Sequence, residues 1–221
     1  MKAFVRANKG FLMFIVLFGV FRTAVADWNP IPSSSMRPNL LEGDVVFVNR
    51  LAYNVKLPLT DVVLARTGEP RRGDVVTFTS PADGTRLIKR LLALPGDRVE
   101  MRNERLVING VEQQYSVEEL VQEPSAEGHM DALRMTEAVD GRRHRIQVLP
   151  QRLVARDFGP VTVPQDAYLM LGDNRDNSAD SRYIGFVPRH LLIGRAERIL
   201  VSADYQGNWM PRTERFGMSL R

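Results

Sequence analysis

From Pro30 onward the chain is a succession of short β-branched runs broken by turn residues, and this pattern most narrows the folds open to it. Val45-Val46-Phe47-Val48, Val75-Val76-Thr77-Phe78, Leu106-Val107-Ile108 and Ile199-Leu200-Val201 combine residues that favour a pleated, half-buried surface. Gly, Pro and Asp punctuate them, as in Pro95-Gly96-Asp97. No long stretch after Pro30 sustains a helical period. Asn109-Gly110, between Leu106-Val107-Ile108 and Val111-Glu112-Gln113, predicts a hairpin, because a type I′ turn needs positive φ at both central positions. The expectation is an all-β fold. At 221 residues, 44% hydrophobic and 25% charged, the chain is long enough to bury a real core. Residues of roughly 113–162 are more polar: Glu118, Glu119, Glu123, Glu127 and Asp131 precede the basic Arg142-Arg143-His144-Arg145. Their position in the chain predicts a β subdomain inserted into a single β domain spanning 29–221.

The first 28 residues are of another kind. Lys2, Arg6 and Lys9 precede the apolar run Phe11–Phe21, and a basic flank of this sort holds the N-terminus in the cytoplasm while the rest crosses. Phe11 to Ala26 is 16 residues, interrupted by Arg22. As a helix it is about 24 Å long at about 1.5 Å per residue, short of a hydrocarbon core of roughly 30 Å. Snorkelling by Arg6, Lys9 and Arg22 with an interfacial Trp28 makes up the difference in a retained anchor. The same residues also fit a cleavable leader, with Phe11–Phe21 as its apolar region and Ala24-Val25-Ala26 as an A-x-A cleavage site. Composition leaves both readings open.

Thirty Lys plus Arg against 26 Asp plus Glu give +4, too mild and too scattered for nucleic acid. Anionic lipid headgroups suit the basic N-terminus better. The absence of Cys excludes disulfides, thiolate nucleophiles and cysteine zinc sites. His129, His144 and His190 lie far apart, lack the H-x-x-x-H spacing and belong to no motif, so they read as solvated or structural.

Two positions carry chemistry. A serine hydroxyl attacks only if a base removes its proton, and a lysine serves as that base only as the free amine, which burial favours. Lys89 lies in the mostly apolar run Leu87-Ile88-Lys89-Arg90-Leu91-Leu92, and strand alternation puts it on the face of Leu87 and Leu91, with Arg90 on the other. Ser35 stands between Pro32 and Pro38, which keep its loop out of a helix or central strand. Alone, Pro32-Ser33-Ser34-Ser35-Met36 fits a serine-rich linker. The residues C-terminal to it decide the matter. Pro38–Val48, Ala52–Lys56, Arg72-Gly73-Asp74-Val75-Val76, Ile88-Lys89-Arg90, Leu94–Asp97 and above all Gly172-Asp173-Asn174-Arg175-Asp176-Asn177-Ser178-Ala179-Asp180-Ser181-Arg182 come in the order found in type I signal peptidases, which they resemble. Gly185–Pro188 and Ile193–Ala196 continue the match, so the resemblance covers Arg22 to about Gly217 except the polar segment at roughly 113–162.

The resemblance implies a signal-peptidase-like β domain with an inserted β subdomain, behind one transmembrane helix. It favours the retained anchor over the cleavable leader. It implies Ser35 as nucleophile, Lys89 as general base, and an oxyanion hole from the Ser33 hydroxyl and the Ser35 backbone N–H. It further implies Ser178 as the residue that hydrogen-bonds the lysine amine, with Asp180 and Arg182 as a supporting ion pair. Ser34 stands where such enzymes often have Gly, and Leu87 where an aromatic is common; both bear on specificity rather than chemistry. The expected activity is removal of leader peptides from exported preproteins after an A-x-A-like site. The expected place is the cytoplasmic membrane, single-pass, with the catalytic domain outside. The expected partners are preproteins and the bilayer, the chain itself a monomer. No metal or cofactor is implied, because the lysine supplies the base. A conjugative-pilus maturation peptidase, a self-cleaving repressor and a catalytically silent membrane-tethered binding module are the rival readings; the full Gly172–Arg182 run and the apolar N-terminus weigh against the first two.

Overall fold

The β-branched runs become strands, which pair into antiparallel sheets. The computed structural model describes residues 8–57, 60, 62–125, 128–154 and 156–220. A helix, α1 (Lys9–Ala24), leads into β1 (Ala26–Pro30), β2 (Asp44–Asn49), β3 (Asn54–Lys56), β4 (Val63–Arg66), β5 (Val75–Thr79) and β6 (Arg86–Ala93). Next come β7 (Arg98–Arg102), β8 (Arg105–Ile108), β9 (Val111–Glu112), β10 (Gln114–Ser125), β11 (Gly128–Val139) and β12 (Arg142–Val148). The chain ends with β13 (Phe158–Thr162), β14 (Ala167–Leu171), the single turn α2 (Ser181–Ile184), β15 (Val187–Pro188) and β16 (Leu192–Ser202).

The main sheet has the order β1-β2-β16-β5-β6-β14-β15. Its register sets Val76 opposite Lys89, and Leu91 opposite Met170. An apolar cluster of Ile31, Met36, Leu40, Val46, Val48, Val75 and Ile199 packs under its β1–β2–β16 end. Tyr53, Phe78, Leu91, Met170 and Leu192 form a second cluster, and Leu92, Leu106, Ile108 and Leu171 belong to a third. Asn109 and Gly110 join β8 to β9 with φ of 53° and 80°, the positive values that the predicted turn demands.

The polar segment at roughly 113–162 divides between two sheets. Strands β10, β11 and β12 make a sheet of their own, whereas β13 pairs with β7 in the sheet β13-β7-β8-β9.

The N-terminal helix differs from the expected span. Among the described residues no helix is long and apolar enough to cross a membrane. α1 has 16 residues, so it reaches about 24 Å where the hydrocarbon core needs roughly 30 Å. None of its residues is buried. At its end the Arg22 guanidinium stands 4.4 Å over the Trp28 ring and its Nε donates to Asp27 at 3.2 Å. Lys2 and Arg6, members of the basic flank, lie outside the described residues.

Candidate active site

Ser35 is the middle residue of a single 3-10 turn, Ser34–Met36, entered from an extended Ser33. Three restraints fix that turn. Pro32 and Pro38 keep the flanking chain from entering a ladder. Met36 and Leu40 are fully buried beneath the sheet, each burial contributing about 1.5–3 kcal/mol. The third restraint is the Gly172–Arg182 segment. Asn174 donates its backbone N–H to Ser35 O and its Nδ2 to Ser34 O, both at 3.1 Å, and Asn177 Nδ2 donates to Ser34 Oγ at 2.6 Å. Sequence alone assigns neither asparagine a task. Their only signal is two amide side chains three residues apart in a loop without apolar anchors.

Lys89 comes from the middle of β6. Its Nζ donates to Ser35 Oγ at 2.7 Å and to Ile88 O at 3.0 Å, and the side chain is only 2% exposed. No carboxylate of the described residues lies within ion-pair distance of it. Desolvation therefore governs the amine: its pKa falls to about 8, although the Asp180 and Asp173 carboxylates pull it upward. Arg90, on the opposite face as alternation requires, makes a bidentate pair with Asp173 at 2.8 and 2.7 Å.

Ser33 is exposed, and its Oγ lies 3.4 Å from Ser35 Oγ. Asp180 and Arg182 form a buried ion pair, with Arg182 Nε and Nη2 each 2.8 Å from a carboxylate oxygen. The Asp180 carboxylate also accepts from Gly172 N at 3.0 Å and caps α2 through Arg182 N. Ser178 departs from expectation: it makes no hydrogen bond to Lys89. Its hydroxyl is buried without a partner, while Ile88 O takes the amine's second hydrogen bond. The Ser178 side chain instead lies against Gly172. A Cβ at Gly172 would stand 2.2 Å from Ser178 Oγ and 2.6 Å from Ser35 O, so only glycine fits between them.

A second layer, invisible in the sequence, ties this wall to the β10–β12 sheet. Arg175 is buried and donates to both oxygens of Glu137 on β11, at 2.9 and 2.5 Å. Burial pushes the Glu137 carboxyl up, but Arg175 and His144 outweigh it and hold the group below its usual range. His144 Nε2 lies 2.9 Å from that carboxylate, and the Tyr115 hydroxyl donates to it. His144 is thus a buried structural residue, its pKa lowered chiefly by desolvation. Arg37, two residues after the candidate nucleophile, binds Glu42 at 2.9 Å and Glu123 on β10.

The arrangement holds a hydroxyl against an amine whose pKa burial lowers to about 8, with a neighbouring hydroxyl on the solvent side. It suits removal of a proton from Ser35 and attack on an electrophilic carbonyl.

Comparisons with known proteins identify the family. The family model described as "Signal peptidase, peptidase S26" matches residues 4–201. A protein named "Signal peptidase I" from Pseudomonas fluorescens is 35% identical over 220 residues, covering 94% of this chain and 75% of its own. Its counterpart from Pseudomonas aeruginosa is 35% identical over 221 residues with the same coverage. "Signal peptidase I P" from Bacillus subtilis subsp. natto is 30% identical over 197 residues, covering 89% of this chain and 88% of its own.

Proposed function

This chain belongs to the signal peptidase family, peptidase S26, and from that premise we propose how its residues remove a leader peptide as a serine endopeptidase. Lys89, as the neutral amine, accepts the Ser35 proton while Ser35 Oγ attacks the carbonyl carbon of the scissile bond. The oxyanion that forms accepts hydrogen bonds from the Ser35 backbone N–H and the Ser33 hydroxyl, donors worth roughly 2.7–4 kcal/mol each in the transition state. Lys89 then returns the proton to the departing amine, which leaves as the N-terminus of the mature protein. Water, deprotonated by the same amine, hydrolyses the Ser35 ester and frees the leader. Asp180–Arg182, Asn174 and Asn177 hold the wall behind these groups, and Ser178 orients the amine once substrate is bound.

The observation that carries this reading is the 2.7 Å contact between Lys89 Nζ and Ser35 Oγ in a buried setting without a carboxylate partner. A lysine in an ordinary surface pair would stay protonated and useless as a base.

The site belongs to a β catalytic domain that begins with β1 and carries the β10–β12 sheet as its insert, behind a basic tip and anchor. The substrates are translocated preproteins with small residues at positions −1 and −3. The enzyme works as a monomer at the outer face of the cytoplasmic membrane, its N-terminus inside. Support for the anchor comes from α1, whose Phe11, Phe14, Val16 and Leu17 are each about 60% exposed; a strip this apolar calls for lipid around it. Arg22 stacked on Trp28 suits a headgroup level at the helix end.

The test is incubation of purified protein with a preprotein bearing an A-x-A site, followed by N-terminal sequencing of the product. Cleavage after the second alanine is expected. An intact preprotein, under conditions where the protein is folded, would overturn the reading.

A further inference from the structure

A cavity of about 600 Å³ opens beside the candidate nucleophile turn, and peptide-bond cleavage by Ser35 and Lys89 gives it no task. Ser34 and Asn177 lie on its floor, the β10–β11 hairpin contributes Glu123, and Arg37, Glu42 and Arg152 bring charge to it. No residue of α1, β1 or β6 lines it. A preprotein cut at Ser35 has two halves. Its leader is the membrane-held half, so it reaches Ser35 from the α1–β1 side. The mature half must leave on the other side, which is where the cavity lies.

Its lining carries two arginines, Arg37 and Arg152, and two glutamates, Glu42 and Glu123, but they are unevenly paired. Glu42 and Glu123 are both bound by Arg37, and Glu123 is bound again by Arg134 at 2.7 Å. Arg152 meets no carboxylate among the described residues; its Nη1 donates to the neutral Asn177 Oδ1. Asn177 in turn donates to Ser34 Oγ at 2.6 Å. The exposed guanidinium thus stands one side chain away from the nucleophile turn, without a carboxylate partner among the described residues.

We infer that this cavity receives the first residues of the mature protein, and that Arg152 makes it favour an acidic side chain there. The inference rests on the reading of the chain as a leader-removing endopeptidase. Arg152 acts on the choice of substrate and takes no part in bond breaking.

The experiment uses the full chain in detergent and preproteins identical in the leader, with Asp, Ser or Lys at the second to fourth mature positions. The parent should cut in the order Asp, Ser, Lys, with kcat/KM differing by about 2- to 5-fold per step, the range of a solvent-exposed ion pair. The order should fade at high salt. Arg152→Gln should level the series and Arg152→Glu should reverse it, while discrimination between Ala and a bulky residue at −1 stays as in the parent. Equal rates in the parent, or an acidic preference that survives in Arg152→Glu, would overturn the subsite and leave the cleavage reading standing. Failure of the parent to cut any of the three would overturn both.

Discussion

At the scale of single residues the chemistry turns on one contact, and it predicts its own failures. Ser35→Ala and Lys89→Met should each lower kcat/KM by roughly 10⁴-fold or more, and the double variant should be no worse, because nucleophile and base act as a unit. Lys89→Arg should fail as well, since a guanidinium keeps its proton; substantial turnover by that variant would refute the lysine as base. The pH dependence comes from burial. In the proposed mechanism the working form is the neutral amine, so kcat/KM should climb as pH rises through about 8, where burial places the Lys89 pKa, and fall below it. A profile flat from pH 6 to 10 would contradict this. Ser178 offers a sharper test. Its hydroxyl is buried and unpartnered, so Ser178→Ala should cost no stability in urea unfolding, yet lower kcat if the hydroxyl turns to the amine in the substrate complex. The dyad was legible in the order of motifs that resemble signal peptidases, not in local marks: a serine between prolines alone fits a linker, and β6 carries Arg86 and Arg90 beside Lys89. The unbonded state of Ser178 was not legible, because it depends on which oxygen Lys89 chooses in three dimensions.

Among the elements, the loop after β14 does the most. It clamps the nucleophile turn through Asn174 and Asn177, and it is itself held by β11 through Arg175 and Glu137. Glu137→Ala would leave a buried guanidinium without its anion and should destabilise the fold by about 3–5 kcal/mol, measured by chemical denaturation. Pairing it with Arg175→Met should recover much of that loss. A stability unchanged in Glu137→Ala would show that the pair is not a structural tie. Gly172→Ala should cost about 1–3 kcal/mol through crowding and lower activity further, since the displaced atoms belong to Ser178 and Ser35. The strands around these loops were readable from β-branched runs, and the β8–β9 hairpin from Asn109-Gly110. The ties were not. Arg37 and Glu123 are 86 residues apart and Arg175 and Glu137 are 38 apart, and no periodicity relates an arginine to a distant carboxylate. For the same reason the polar segment looked like one insert, although β13 returns to pair with β7. Its strand pattern is local, but its partner is not.

For the whole molecule, the exposed apolar surface of α1 sets the prediction. If lipid covers it, the protein should stay with membranes through alkaline carbonate washing and leave them only with detergent, and intact mass should equal that of the full chain. A mature N-terminus at Asp27 in the soluble fraction would instead make the segment a leader. The edge of the main sheet bears on the same segment in another way. Ala24-Val25-Ala26 has the form of the site that such an enzyme cuts, and it lies only nine residues before Ser35. Yet Ala26 is already paired with Asn49 and Asp27 with Val48, so the bond after Ala26 is zipped into that edge from the moment β1 forms. A neighbouring copy could reach that bond only by peeling the strand away. Pairing of that bond should therefore slow its cutting in a folded copy, leaving an unfolded or newly made chain as the more open form.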